Sequence, residues 1–227
     1  MKYKCLVLDH DDTVVASTEA IHYPSFVAYV DENKPHLSGK YSFEEFIKKN
    51  FDPGVLEFFG GEIGLDDEEM KEEDKYWRDF VATRIPTAYA GIGEIIARFR
   101  AKGGIIAVAS HSYEEYIRRD YRHNSLPEPD VIYGWDLPRE HRKPSPFTVL
   151  DLCERYGISP SEVLVVDDLK PGYDMARAAG AHFAAAGWAY NVPEIEAFMR
   201  RNCDYYLASI DELNELLFGH AHLTDCT

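Results

Sequence analysis

Residues 4–13 read Lys4-Cys5-Leu6-Val7-Leu8-Asp9-His10-Asp11-Asp12-Thr13, and this stretch decides the fold. Four apolar residues, about a strand's length, run straight into acid, and a short strand that is apolar throughout points to a parallel sheet covered on both faces. Asp9 and Asp11 stand one residue apart, so an extended backbone sends both to the same side. Two like charges at one strand end repel unless a cation or a shared proton offsets them. The plain alternative is a solvated turn, where aspartate is common. The rest of the chain decides between the two.

From Tyr89 onward, apolar strands alternate with helical stretches. Helical periodicity over 92–102 puts Ile95, Ile96 and Phe99 on one face and stops at Gly103-Gly104. A buried strand over 105–109 ends at Ser110-His111-Ser112, and helix resumes over 113–121. A strand is expected over 130–133, a helix over 146–156 closed by Gly157, and a strand over 163–166 ending in Asp167-Asp168. Helix 171–179 stops at Gly180, strands follow at 182–186 and 205–207, and a closing helix spans 210–217. The pattern is α/β: a Rossmann-like parallel sheet with helices on both faces. Ligands of such sheets gather at the carboxyl ends of the strands, where Asp9, Asp11, Ser110, Asp167 and Asp168 all fall.

Residues 16–84 differ. They carry aromatic-rich helical stretches at 23–30, 43–50 and 68–83, with no convincing strand. The acidic run 66–74 reads most simply as a solvated helix face. The expected organisation is a core of residues 1–15 and 85–227 with a small helical domain, 16–84, inserted after the first strand.

The chain's 227 residues suffice for one sizeable core. Its net charge of -16 opposes non-specific nucleic-acid binding and attachment to anionic membranes. The same charge repels an anionic substrate, so a phosphate site needs local cations, and a metal ion is the obvious supplement. Cys5, Cys153, Cys203 and Cys226 are scattered, without the spacing of a zinc site or a disulfide framework. No secretory signal or membrane-length apolar run stands out, so the expected location is cytoplasmic.

Asp9-x-Asp11-x-Thr13, Ser110 after a strand, Lys143-Pro144, and Asp167-Asp168 after a further strand occur in that order. The set resembles the haloacid dehalogenase superfamily of phosphatases and phosphotransferases, in the helical-cap branch of phosphoglycolate phosphatase and β-phosphoglucomutase. Smaller echoes are Tyr89-Ala90-Gly91-Ile92, Ala178-Ala179-Gly180 and Asp211-Glu212-Leu213. The resemblance implies a Mg²⁺-dependent phosphatase that hydrolyses a small phosphorylated metabolite through an aspartyl-phosphate. It makes Asp9 the nucleophile and Asp11 the general acid and base, whose backbone carbonyl also holds the metal. Asp9 and Asp168 become carboxylate ligands of Mg²⁺, with Asp167 in or just outside the coordination shell. Thr13 would support the loop, Ser110 would bind a phosphate oxygen, and Lys143 would neutralise growing charge.

Each of these residues also has a plainer reading. Ser110 could be a helix N-cap, Lys143 a surface lysine, and Asp167-Asp168 a cap of the next helix. His10 points away from Asp9 and Asp11 on an alternating backbone, which favours packing, while His111 could line a pocket. Three departures from the family pattern stand out. Asp12 replaces a common glycine, which suggests a supporting or solvent-facing role. Ala16 replaces an acid, and Gly172 stands where one variant carries aspartate. A phosphomutase is the runner-up, and it would need cap cations such as Lys48, Lys49 or Arg84 for a second phosphate. A catalytically quiet interaction protein with the same fold is the third reading. Within the cap, Glu19, His22, Tyr23, Tyr76, Trp77 and Arg84 cannot be placed from sequence, and each reads first as packing or solvent-facing.

Overall fold

The computed structural model describes residues 1–219; Cys226 lies outside them. Six parallel strands form the main sheet: β1 Cys5–Leu8, β4 Ile105–Ala109, β5 Val131–Tyr133, β6 Val163–Asp167, β7 His182–Ala186 and β8 Tyr205–Leu207. Their order is β5-β4-β1-β6-β7-β8, with Leu8 opposite Val108 on one side and Val166 on the other. β1 is therefore central, and the chain leaves it in opposite directions on its two sides. That is the switch point at which ligands of open α/β sheets bind.

Alternation along the strands builds two apolar layers. Cys5, Val7, Val163, Val165 and Phe183 face one side, where α7 (Phe147–Tyr156), α8 (Lys170–Ala179) and α9 (Pro193–Asn202) cover them. Leu6, Leu8, Ile106, Val108 and Leu164 face the other, beneath α5 (Ile92–Ala101), α6 (Glu114–His123) and α10 (Ile210–Phe218). Both faces are dry, as the unbroken apolar strands require.

In the core, helix α9 lies outside the sequence expectation. So does a two-stranded antiparallel ribbon, β2 Val15–Ala16 with β3 Thr87–Ala88, which brackets the helical segment. Within that segment run α1 Tyr23–Asn33, α2 Phe43–Phe51, α3 Val55–Glu57 and α4 Asp67–Ala82. Reciprocal capping boxes start two of these helices, Ser42 with Glu45 for α2 and Asp66 with Glu69 for α4. Phe26, Phe46, Phe58 and Phe59 pack ring against ring at the segment's centre. Truncating the fully buried Phe58 to Ala would cost about 3–5 kcal/mol.

Candidate active site

The backbone N–H of Asp9 donates to the Val166 carbonyl at 2.9 Å, so the first residue beyond β1 is held to the sheet's end. One oxygen each from Asp9, Asp167 and Asp168 can lie within 4.8 Å of the others, and all three residues are buried. The Lys143 ammonium sits among them, 2.8 Å from Asp9 Oδ1 and 2.7 Å from Asp167 Oδ2. Thr13 Oγ1 lies 3.4 Å from Asp168 Oδ1, and the Tyr190 hydroxyl donates to Asp168 Oδ2 at 2.6 Å.

One lysine does not neutralise three buried carboxylates. Asp9 is pushed up to about 7, first by burial and then by Asp167 and Asp11, against the downward pull of Lys143. Asp168 is raised well above the usual range by burial, then by Asp167 and Asp9. An all-oxygen cluster with excess buried negative charge suits a hard divalent cation such as Mg²⁺. The residues present fit such an ion, with Asp9, Asp167 and Asp168 as donors.

Asp12 shapes the loop that follows. It is buried, so the solvent-facing alternative does not hold, and it adopts a left-handed φ of 56°. Aspartate tolerates that region better than most residues other than glycine. Its Oδ1 accepts from the N–H groups of Ser17 (3.0 Å) and Thr18 (3.2 Å). These bonds turn the chain into the short helical stretch Thr18–His22, which brings His22 back onto Asp11. His22 Nε2 is 2.8 Å from Asp11 Oδ1. Ser17 and Ser112 donate to the same carboxylate at 2.7 and 2.6 Å, and Ser110 Oγ lies 3.4 Å away.

Burial works against the Asp11 charge, but His22, then His10 and Ser112, outweigh it and hold the pKa well below the carboxylate range. Burial likewise opposes the His22 imidazolium, yet Asp11's charge and hydrogen bond raise its pKa. Trp77 Nε1 donates to His22 Nδ1 at 3.0 Å, which sets the neutral tautomer with the proton on Nε2. Nε2 therefore carries a proton towards Asp11 in either state.

The neighbouring histidines divide as follows. His10 turns from the two carboxylates and meets Asp120 at 3.1 Å. Asp120 in turn pairs with Arg119, which donates to the carbonyls of Val81 and Arg84 at the end of the helical segment. His111 lines the cavity above Asp9, its Nε2 3.2 Å from the Lys143 carbonyl. Burial and then Lys143 push it down to about 3, so it is neutral.

Gly172 accounts for its own place in the motif: a Cβ there would lie 2.1 Å from Asp167 Oδ2. The acidic run of α4 is only partly a solvated face. Asp66 caps the helix, Asp74 accepts from Tyr113 at 2.8 Å, and Glu73 reaches the cavity. Lys48, Lys49 and Arg84 are turned elsewhere, to Glu44 and Glu194, to Glu62, and to the Phe80 carbonyl.

Asp9, Asp11, Ser110, Lys143 and Asp168 floor a cavity of about 420 Å³; Asp167 backs it, and Thr13 stands behind Asp168. The sequence reading missed Ser17, Ser112 and Glu73, and it gave His22 and Trp77 no place. Ser112 could have been found as the second hydroxyl beyond the same strand end. His22 and Trp77 meet across 55 residues, and no local pattern predicts that.

A parallel sheet whose strand ends and following loops bring acids, hydroxyls and Lys143 to a single cavity defines an α/β protein with a polar site at the carboxyl edge of its sheet. The sequence pattern of the haloacid dehalogenase-like hydrolases matches residues 3–180, and the chain belongs to that family. A phosphoglycolate phosphatase of Nitrosospira multiformis is 31% identical over 140 residues, covering 61% of this chain and 59% of that protein. Another, from Thiobacillus denitrificans, is 29% identical over 105 residues, 45% of each chain. The chain thus spans about half to three fifths of the length of these curated relatives. Among solved structures, a haloacid dehalogenase-like protein of Bacteroides fragilis superposes with a TM-score of 0.76 at 21% identity, covering 93% of this chain and 100% of that one. Likeness at that identity establishes the shared fold. No helix among the described residues is long and apolar enough to cross a membrane.

Proposed function

We propose that the protein is a Mg²⁺-dependent phosphatase of a small phosphomonoester, with residues 16–84 acting as a cap over the strand ends. The observation that carries this reading is the buried Asp9, bridged by Lys143 to Asp167 and standing beside Asp168. A carboxylate oxygen of Asp9 attacks phosphorus, the bond to the ester oxygen breaks, and the alcohol leaves with a proton from the Asp11–His22 pair. Water then attacks phosphorus, and the same pair accepts its proton. The P–O bond to Asp9 breaks, phosphate departs, and the free carboxylate is restored. Lys143 counters the negative charge on the phosphoryl oxygens, and Ser110 offers them a donor. Asp9, Asp168 and the Asp11 carbonyl would hold Mg²⁺, with Asp167 in or just outside its shell; the ion supplies positive charge that lets an anion approach an anion.

The names of the curated relatives favour a phosphatase. Lys48, Lys49 and Arg84, the cap cations considered for a second phosphate, are engaged elsewhere, which favours hydrolysis over a mutase. Phosphate release from a metabolite panel and an aryl phosphate, with and without Mg²⁺, tests the assignment alongside Asp9→Asn. Release that needs metal and disappears in the variant is expected. Full turnover by Asp9→Asn would overturn the nucleophile.

A further inference from the structure

The cavity over Asp9 is larger and more apolar than a phosphoryl group requires. Its volume is about 420 Å³. Away from the carboxylate floor, its walls include Phe59, Met70 and Trp77 from the helical segment and Tyr113 and Trp135 from the core. Charge along these walls is mixed, with Lys71 and Arg142 against Glu73 and Asp74. Lys71 is largely exposed and paired with Glu68 at 2.9 Å. Arg142 also lines the cavity; its Nε donates to the Leu137 carbonyl at 2.7 Å and its guanidinium lies over the Trp135 ring at 4.1 Å. Glu73 lines the same space and makes no hydrogen bond or ion pair among the described residues. Asp74 stands beside it, engaged by Tyr113.

We propose that the alcohol half of the substrate is a bulky aromatic group without an acid of its own, seated between Trp77, Phe59 and Trp135. The inference rests on the phosphomonoester reading above and narrows it. An aromatic alcohol replaces loosely held water along apolar walls and buries its own surface. A ring hydroxyl or amine can donate to Glu73, which is otherwise an unmatched acceptor. The two-carbon acid ester in the names of the curated relatives would leave those walls wet and bring a carboxylate towards Glu73 and Asp74. Burial, then Asp74, pushes Glu73 up to about 7, consistent with a site that disfavours additional negative charge.

The test compares 1-naphthyl phosphate with 2-phosphoglycolate by kcat/KM in Mg²⁺ and by calorimetric binding to Asp9→Asn. A pocket that gains about tenfold per well-placed apolar group should favour the naphthyl ester at least tenfold in both assays. Met70→Glu, a change on a half-buried wall, should reduce that preference; an unchanged preference would overturn the role of the wall. Faster turnover or tighter binding of phosphoglycolate would overturn the inference and leave the phosphatase reading standing. No release from either ester, with naphthyl phosphate still bound tenfold more tightly, would sink the hydrolysis and uphold the aromatic site.

Discussion

Gly172→Ala places a methyl group where the structure has no room for one. The new Cβ would stand 2.1 Å from Asp167 Oδ2, 2.3 Å from its Cγ and 2.6 Å from its Cβ. Carbon contacts settle near ~3.5 Å, so the carboxylate or the first turn of α8 must retreat by about 1 Å. That same Oδ2 is 2.7 Å from Lys143 Nζ, and Lys143 is 2.8 Å from Asp9. Any retreat either breaks the bond or draws the lysine from Asp9. Overpacking of this kind costs about 1–3 kcal/mol, which for a chain of this size lowers Tm by roughly 2–12 °C. A displacement of about 1 Å among reacting groups costs up to ~10²-fold in rate. Calorimetry and phosphate release from an aryl phosphate read the two effects. Gly157→Ala is the control: its φ is +63° with nothing within 4 Å of the added Cβ, so it should lose about 1 kcal/mol through backbone strain and keep its turnover. If Gly172→Ala matches the parent in both Tm and kcat, or if Gly157→Ala loses as much activity, the clash with Asp167 is not what fixes this glycine.

Three further outcomes follow from the site's charges and clasps. Because the folded pKa of Asp168 is raised, its contribution is favourable below the unfolded value of 3.8 and is lost as pH rises through the folded value. In chelator, Asp168→Asn should therefore gain stability relative to the parent as pH rises from acid to neutral, while the parent alone gains about 2.7 kcal/mol from Mg²⁺ at a hundredfold excess over Kd; melts in both conditions check this. The His22 pKa is raised, so the charge on its bond to Asp11 contributes fully below 6.5 and is lost as pH climbs past the folded value, leaving the neutral hydrogen bond. His22→Gln should consequently lie furthest below the parent in Tm at acid pH, and the gap should narrow as pH rises. Arg119→Ala removes donors to the Val81 and Arg84 carbonyls at 2.8 and 2.9 Å; amide exchange around those residues should quicken by the equivalent of about 1–3 kcal/mol, and unchanged protection would refute the clasp.

What the sequence made legible is what one-dimensional order controls. A strand that is apolar throughout must be buried on both faces, so its end lies at the rim of the sheet and the next residue projects there. This holds for Asp9 after Cys5–Leu8, for Ser110 after Ile105–Ala109, and for Asp168 after Val163–Asp167. The ribbon escaped notice because two residues per strand carry no period to read. Helix α9 did carry a start signal, Pro193 at its first position, but only Ile195 and Met199 are buried, too few for an apolar stripe to stand out.

The helical segment resists reading for a deeper reason. A residue on a strand has two faces to choose between, and the pleat decides; a residue on a helix can face any direction, and only packing against a neighbour fixes the rotation. Trp77 and Glu73 lie four apart on α4, on one side of it, and both line the cavity. Nothing in the run Asp66–Asp74 distinguishes Glu73 from the exposed Glu72 beside it. The difference arises because Trp77 packs against His22, which reaches Asp11 only because Asp12 turns the loop in a left-handed conformation. The rotation of α4 is thus linked to the conformation of one residue beside the proposed nucleophile. The specificity proposed for the helical segment and the chemistry proposed for the strand ends therefore depend on the same short loop.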